Sequence, residues 1–243
     1  MASTAASSDQ LVALYREFLD CYTQIPVGPE GFAEEQKAKL RAHVRDKTVL
    51  LLAFPPKCGG TFLREVLGTY LELRGLTSGR PQLLRGSFMG GGDHERDLYF
   101  PELLTHFIGL DHPCAVLHNH PTATNGNLAL MELFGLKPVV MERSIPDMLL
   151  SLYDAAEHSG RIGAFGSACG EDESFFEQPL DVRKDFLIHN VAPWYVKFYA
   201  SWHLAALRGQ VAEILWVSYE DFRRDPAAVA AEILGFHGIE ADP

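Results

Sequence analysis

Short apolar runs alternate with segments of helical periodicity through most of the chain. Four runs of aliphatic and β-branched residues predict buried strands, at residues 49–54, 114–118, 137–142 and 215–219. Apolar positions three and four residues apart predict helices at about 60–74, 126–135, 144–158, from 181 onward and at 226–234. Strands that alternate with helices predict an α/β fold of three layers, in which helices flank a mostly parallel central sheet.

The remaining segments are predicted to surround this sheet. Two helices, at residues 11–22 and 31–46, are expected to pack on its outside. Residues 76–113, which include Gly90-Gly91-Gly92, and residues 159–179 are less regular, and they are predicted either to shape a substrate pocket or to be plain surface connections. The long helix from residue 181 is expected to bend at Pro193, and its aromatic stripe is predicted to be core: Trp194, Tyr195, Phe198, Tyr199 and Trp202.

Length and composition narrow the class of protein. With 243 residues and 47% hydrophobic content, the chain is expected to form one domain, 1–243, in which residues 1–47 are the outer helices. The formal net charge of −11 argues against nucleic acid or an anionic membrane as a partner. Residues 1–9 lack the basic and apolar parts of a signal peptide, and no apolar run is long enough to span a bilayer. These features, and four scattered cysteines, predict a cytoplasmic protein with reduced thiols.

The strongest chemical pattern follows the first predicted strand. A double proline leads to Lys57, then to two glycines, a threonine and an amphipathic helix. Glycines let backbone N–H groups approach an anion, and the helix N-terminus and the lysine both add positive charge there. The lysine precedes the glycines, so this is not the loop of nucleotide triphosphatases. The pattern predicts a phosphate-binding loop, and the alternative is a glycine turn with an exposed lysine.

A second candidate anion site follows the third predicted strand. Arg143 ends that strand, and Ser151 lies eight residues later, two turns into the next helix, so both side chains could hold one anion. Ser144 and Asp147 are expected to cap this helix. The alternative is that Arg143 pairs with a carboxylate such as Asp147. Two anion sites would suit a ligand with two separated phosphates.

Two histidines end the second predicted strand. His118 and His120 are two residues apart, so in an extended segment they point to the same side. A zinc site would need further ligands, for which no suitable spacing is evident. His120 is better explained as a general base, because histidine titrates near neutral pH and can take a proton from a hydroxyl. The alternative for both histidines is a structural hydrogen bond at the strand end.

Three blocks of this sequence resemble the sulfotransferases that use 3′-phosphoadenosine 5′-phosphosulfate (PAPS). Residues 54–62 resemble the family's 5′-phosphosulfate loop. The arginine, helix start and serine within residues 143–151 are similar to its 3′-phosphate signature, and residues 216–226 resemble its late strand and helix. The order and spacing of the blocks cover roughly residues 48–238. The resemblance implies the fold of that family, an α/β domain with a loop like that of P-loop proteins.

The resemblance also implies roles for individual residues. His120 would be the catalytic base that deprotonates a hydroxyl of a small or partly apolar acceptor. Lys57 would stabilise the leaving phosphate while it also binds the 5′-phosphate, and no metal would be needed. The product of PAPS would be adenosine 3′,5′-bisphosphate (PAP). The other residues that would bind the cofactor are Cys58, Gly59, Gly60, Thr61, Phe62, Arg143, Ser151 and Tyr219.

The sequence departs from the family pattern in two places. Cys58-Gly59-Gly60 replaces the Ser-Gly-Thr that is common in cytosolic members. The Arg-Lys-Gly segment that completes the 3′-phosphate site in many members is not found before the last residue of the sequence, Pro243. Two other functions therefore stay open, namely a nucleotide-dependent phosphoryl transferase of the kinase type and a non-catalytic module that binds PAP or PAPS.

Overall fold

The computed structural model describes residue 13 and residues 34–77, 97–100, 103–104, 113–159 and 173–241. Its sheet has four strands, β1 (Thr48–Ala53), β2 (Cys114–Asn119), β3 (Lys137–Glu142) and β4 (Leu215–Ser218). All neighbouring pairs in this sheet are parallel, and the order across it is β2-β1-β3-β4. The predicted α/β fold with a parallel central sheet is confirmed.

Helices connect the strands in the alternation that the sequence predicts. In the described part of the chain they are α1 (Glu34–Val44), α2 (Gly60–Leu73), α3 (Asn125–Phe134), α4 (Ile145–Ser159), α5 (Leu180–Phe186), α6 (Ala192–Leu207), α7 (Tyr219–Arg224) and α8 (Pro226–Phe236). A short 3₁₀ helix (Glu173–Glu177) precedes α5, and a π-helix (Leu187–Val191) joins α5 to α6. None of the helices in these described ranges is long and apolar enough to cross a membrane.

The core lies in two layers, one on each face of the sheet. Alternate residues of β1 divide between them, with Leu50 and Leu52 in one hydrophobic cluster and Leu51 in the other. The first cluster takes residues from α2, α4 and α8, and the second takes residues from α1, α3 and α6. Because β1 is covered on both faces, it reads in sequence as a continuous apolar run rather than as an alternation.

At two places the structure differs in detail from the predicted elements. Tyr219 does not continue β4; it is the first residue of α7, where the Ser218 hydroxyl accepts a hydrogen bond from the Asp221 backbone N–H (3.3 Å). The irregularity near Pro193 is a π-helix one turn earlier, in which the Ala192 N–H bonds to the Leu187 carbonyl. Proline has no N–H to donate. The turn before it is wider than an α-helical turn, and its hydrogen bond joins residues five apart.

Several predictions lie outside the described residues. These are the helix at residues 11–22 apart from residue 13, the Gly90-Gly91-Gly92 turn, and most of the two irregular segments at residues 76–113 and 159–179. Cys21 and Cys169 also fall there, whereas Cys58 and Cys114 are buried and unbridged.

Candidate active site

The predicted site residues lie where the course of the chain through the sheet reverses. The connection from β1 to β2 and the connection from β2 to β3 run in opposite directions, because β3 pairs with the other side of β1. The helices of these two connections, α2 and α3, pack on opposite faces of the sheet. In α/β proteins such a reversal opens a crevice at the carboxyl ends of the strands. Lys57, His120 and Arg143 follow β1, β2 and β3 at that edge.

The loop between β1 and α2 has a strained backbone at its lysine. Lys57 has a φ of 68° and is the one non-glycine residue with positive φ in the described ranges. A left-handed conformation costs an L-residue with a β-carbon about 1–2 kcal/mol. Gly59 also has a positive φ, 75°, and it is the residue that precedes α2. The loop therefore ends on a helix N-terminus that has neither a side-chain cap nor an acidic residue in its first turn.

Both glycines of the loop are needed for packing. A β-carbon at Gly59 would lie 2.6 Å from the Phe222 ring, and one at Gly60 would lie 2.1 Å from Nε2 of His118. Real β-carbon contacts are essentially never shorter than 3.0 Å. The backbone of the loop is thus wedged between a ring of α7 and a ring of β2.

The side chain of Cys58 faces the core rather than the loop surface. Its Sγ lies 3.2 Å from Sδ of Met148, and burial raises the pKa of the thiol to about 12. The resemblance implied that both backbone and side chain at this position hold the 5′-phosphate. The buried Cys58 side chain is not placed to do so, while Thr61 and Phe62 are exposed in the first turn of α2.

His120 is hydrogen-bonded to the same loop. Its Nδ1 contacts the carbonyl oxygen of Phe54, the residue that follows β1. A carbonyl can only accept, so Nδ1 carries the proton and Nε2 of the neutral ring carries the lone pair. The ring of His118 meets the ring of His120 edge-on, with centroids 5.0 Å apart. His120 is therefore held in the tautomer that a base at Nε2 requires.

His118 is a structural neighbour of the loop. Its Nε2 is buried and has no hydrogen-bond partner among the described residues. Burial lowers the pKa of His118 to about 3, and the nearby His120 and Arg64 act in the same direction. His237, at the end of α8, is similar, with a buried Nε2 and a pKa that burial lowers to about 4.

These two histidines predict a loss of stability in mild acid. Between pH 6.5 and their folded pKa values, the unfolded chain binds protons that the folded chain excludes, so the free energy of unfolding falls as the pH falls. From pH 7.5 to pH 5.0, each histidine should lower the free energy of unfolding by up to about 2 kcal/mol. Urea unfolding at both pH values should show a smaller loss for His237→Gln than for the wild type. His203→Gln, at an exposed histidine, is the control, and equal losses in all three proteins would contradict the assignment.

Arg143 is bound to the loop from the other side. Its Nη1 donates to the carbonyl oxygen of Lys57, and its Cζ lies 3.9 Å above the ring of Tyr219. Its Nε is buried without a hydrogen-bond partner in the described part of the chain. The expected alternative, an ion pair with Asp147, is not found among the described contacts. The guanidinium joins the loop to the start of α7 instead.

Sequence reasoning missed the residue that positions Arg143. The hydroxyl of Tyr199 accepts from the Arg143 backbone N–H (3.0 Å) and lies 3.1 Å from the carbonyl oxygen of Met141. Burial raises the pKa of this hydroxyl, so it stays protonated and can donate. The aromatic stripe of α6 was predicted to be core, and Tyr195, Phe198 and Trp202 are indeed fully buried. Tyr199, like Trp194, is half-buried, and the hydroxyl at its tip is the feature of the sequence that could have pointed to a polar role.

A groove of about 490 Å³ opens beside Arg143. Three arginines, two carboxylates and one aromatic ring line it: Arg143, Arg223, Arg224, Asp147, Glu220 and Tyr219. Ser151 is half-buried on α4 and is not among these lining residues. Its shared anion site with Arg143 stays a prediction.

Some aromatic residues of the two irregular segments, for which a substrate pocket was one of the two predicted roles, belong to the core. Phe100 is buried, and Phe175 and Phe176 of the 3₁₀ helix pack against the hydrophobic cluster that contains α2 and α4. Tyr99, by contrast, is exposed. Elsewhere at the edge of the site, Phe62 meets Phe222 edge-on at 5.7 Å. Among the described residues, no three His, Cys, Asp or Glu side chains come together in a way that could hold a metal ion.

Comparison with known proteins gives only distant structural likenesses. No protein-family model matches the chain, and no curated protein matches its sequence. The structure is similar to the crystal structure of a sulfotransferase from Alicyclobacillus acidocaldarius, with a TM-score of 0.48 and 16% sequence identity over 81% of this chain and 83% of that chain. Values this low do not identify the family of the chain, so function rests on the contacts of the site.

Proposed function

We propose that this protein transfers a sulfuryl group from PAPS to a hydroxyl of a small or partly apolar acceptor. The observation that carries the proposal is that the candidate base and the candidate anion-binding arginine are bonded to the same loop. His120 donates to the carbonyl of Phe54, and Arg143 donates to the carbonyl of Lys57. Three groups from three strands thereby form one connected unit around the N-terminus of α2.

The loop suits the 5′-phosphosulfate end of the ligand. Gly59 and Gly60 add no side chains of their own to the loop, and the first turn of α2 offers N–H groups that have no partner within the helix. Lys57 is partly buried and adds a full positive charge beside them. The backbone N–H groups are fixed before the reaction, so they can stabilise charge that develops on the leaving phosphate without reorganising.

His120 would begin the transfer by removing the acceptor proton. Nε2 takes the proton as the acceptor oxygen attacks sulfur, and a new S–O bond forms while the bond from sulfur to the phosphate oxygen breaks. The products are the sulfate ester, PAP and protonated His120. Holding the acceptor and the donor in line makes the reaction effectively unimolecular, which contributes to the expected rate gain. Lys57 would stabilise the charge on the leaving phosphate.

Arg143 would hold the second phosphate. Its guanidinium is fixed by the Lys57 carbonyl and by the face of Tyr219, so little side-chain entropy remains to be lost when an anion binds. Tyr219 would then lie next to the adenosine of the ligand. A single ligand with phosphates at both ends would thus bridge the loop and the groove.

Titration calorimetry with PAP tests the proposal directly. We expect binding in the micromolar range, and Lys57→Ala should weaken it by about 10- to 100-fold because one charge-assisted contact is lost. Lys197→Ala, at an exposed lysine of α6, removes the same charge away from the site and should leave the affinity unchanged. No detectable binding at millimolar PAP would overturn the proposal.

Two further outcomes would replace this function with another. If ATP with magnesium stabilises the protein more than PAP does, a phosphoryl transferase becomes the better assignment. If the protein binds PAP and PAPS but transfers sulfuryl to none of a broad set of alcohols and phenols, it is a binding module.

A further inference from the structure

The groove beside Arg143 contains an arginine with no assigned role. Glu142 of β3 and Ser218 of β4 are partners in the parallel register, so the residues that follow them, Arg143 and Tyr219, are neighbours at the edge of the sheet. Arg223 lies four residues after Tyr219 in α7, and residues four apart share one face of a helix. Tyr219 and Arg223 accordingly line the same groove as Arg143.

The three guanidinium groups of the groove differ in what already binds them. Arg143 is engaged by the Lys57 carbonyl and the Tyr219 ring, and Arg224 forms an ion pair with Asp221. Arg223 is exposed and makes neither a hydrogen bond nor an ion pair with any residue that the structure describes. It is the cation of this groove that can turn toward a ligand without breaking an existing contact.

The buried Nε of Arg143 is a donor that a ligand in the groove could satisfy. A buried donor without a partner costs about 1–3 kcal/mol, which a bound acceptor would recover. Arg143 alone offers limited capacity for a dianionic phosphate, because Nη1 already donates to Lys57. A second cation from the same groove would supply the missing donors.

We propose that Arg223 binds the 3′-phosphate of PAPS together with Arg143, and that it determines the preference of the protein for nucleotides that carry this phosphate. The inference rests on the proposed function, because it assigns one phosphate of that ligand to this groove. The guanidinium forks of two arginines match the oxygens of a phosphate, whereas one arginine tied to the loop cannot reach all of them.

Two carboxylates line the groove as well. Glu220 lies within 3.1 Å of the Ser218 hydroxyl, and Asp147 is in the first turn of α4. Together they oppose two of the three lining arginines, so the groove holds only a small excess of positive charge. Removing the charge of Arg223 should therefore weaken phosphate binding clearly, although this side chain is exposed.

Calorimetry with two nucleotides separates this role from general binding. PAP carries the 3′-phosphate, and adenosine 5′-monophosphate lacks it. Arg223→Ala should weaken PAP binding by about 10- to 30-fold, the usual scale for one charge-assisted contact, and should change binding of the monophosphate by less than about twofold. Arg224→Ala should have an effect of less than about threefold on PAP, because that side chain is already paired with Asp221.

Controls keep the outcome clear. Arg208→Ala, at the end of α6, removes one positive charge outside the groove and should alter neither affinity. Arg223 is exposed, so its loss should leave the thermal midpoint unchanged. If Arg223→Ala binds PAP as the wild type does, or loses both nucleotides equally, this inference is wrong while the proposed function stands. If the wild type binds neither nucleotide, the proposed function itself fails.

Discussion

Replacing His120 with alanine is expected to lower kcat for sulfuryl transfer by about 10²- to 10⁴-fold, the range that a general base contributes. The affinity for PAP should stay within about twofold, since the ligand is held by the loop and by Arg143. The acidic limb of the pH–rate profile should disappear with the imidazole. Initial rates with labelled PAPS and a phenol acceptor, together with calorimetry for PAP, measure both effects.

A second variant separates the base from the hydrogen bond to the loop. His120→Asn keeps an N–H donor near the position of Nδ1, so the contact with the Phe54 carbonyl can persist, but it has no basic nitrogen at the position of Nε2. It should lose as much activity as His120→Ala. Recovery of activity in the asparagine variant would mean that His120 only positions the loop. His203→Ala, at an exposed histidine that stacks on Trp216, should keep full activity.

Gly60→Ala is the substitution with the largest expected structural effect. The new β-carbon would lie 2.1 Å from Nε2 of His118, and the backbone of the loop or the ring of β2 would have to move. Overpacking of this kind costs about 1–3 kcal/mol. PAP binding should weaken by at least about tenfold as well, because the N–H groups of the first turn of α2 would be displaced. Urea unfolding and calorimetry on the same preparation test both parts.

The matched control is another glycine near a helix start. Gly126 lies in the first turn of α3, and a β-carbon there would meet no atom within 4 Å. Gly126→Ala should be neutral or stabilise the protein by up to about 1 kcal/mol. Adding His118→Ala to Gly60→Ala should cost less than the sum of the two single changes, because the ring that causes the clash is gone. Additive costs would show that the strain at residue 60 has another source.

The sequence predicted the secondary structure around the site well. β3 matches its predicted range, 137–142, and α3 ends at Phe134, directly before Gly135, whose φ of 64° is the left-handed cap that glycine favours. The last helix, α8, begins at its predicted first residue, Pro226, and the Asp225 side chain caps it. These features depend on a few neighbouring residues, so a local pattern is enough to find them.

The contacts that build the site could not be read from the sequence. The hydroxyl of Tyr199 reaches Arg143, 56 residues away, and Arg143 reaches the carbonyl of Lys57, 86 residues away. Such pairs are set by the order of strands in the sheet, which local periodicity does not encode. For the same reason Cys58 was expected to face the ligand, whereas its sulfur is packed against Met148 from α4.

The left-handed backbone of Lys57 has a practical meaning for anyone who engineers this protein. Glycine, or to a lesser extent asparagine, adopts that conformation more readily, so a library selected only for thermal stability should enrich them at this position. Either substitution would remove the positive charge of Lys57, which is the only charged side chain of the loop. A stabilisation campaign should therefore hold codon 57 fixed and look for improvement elsewhere.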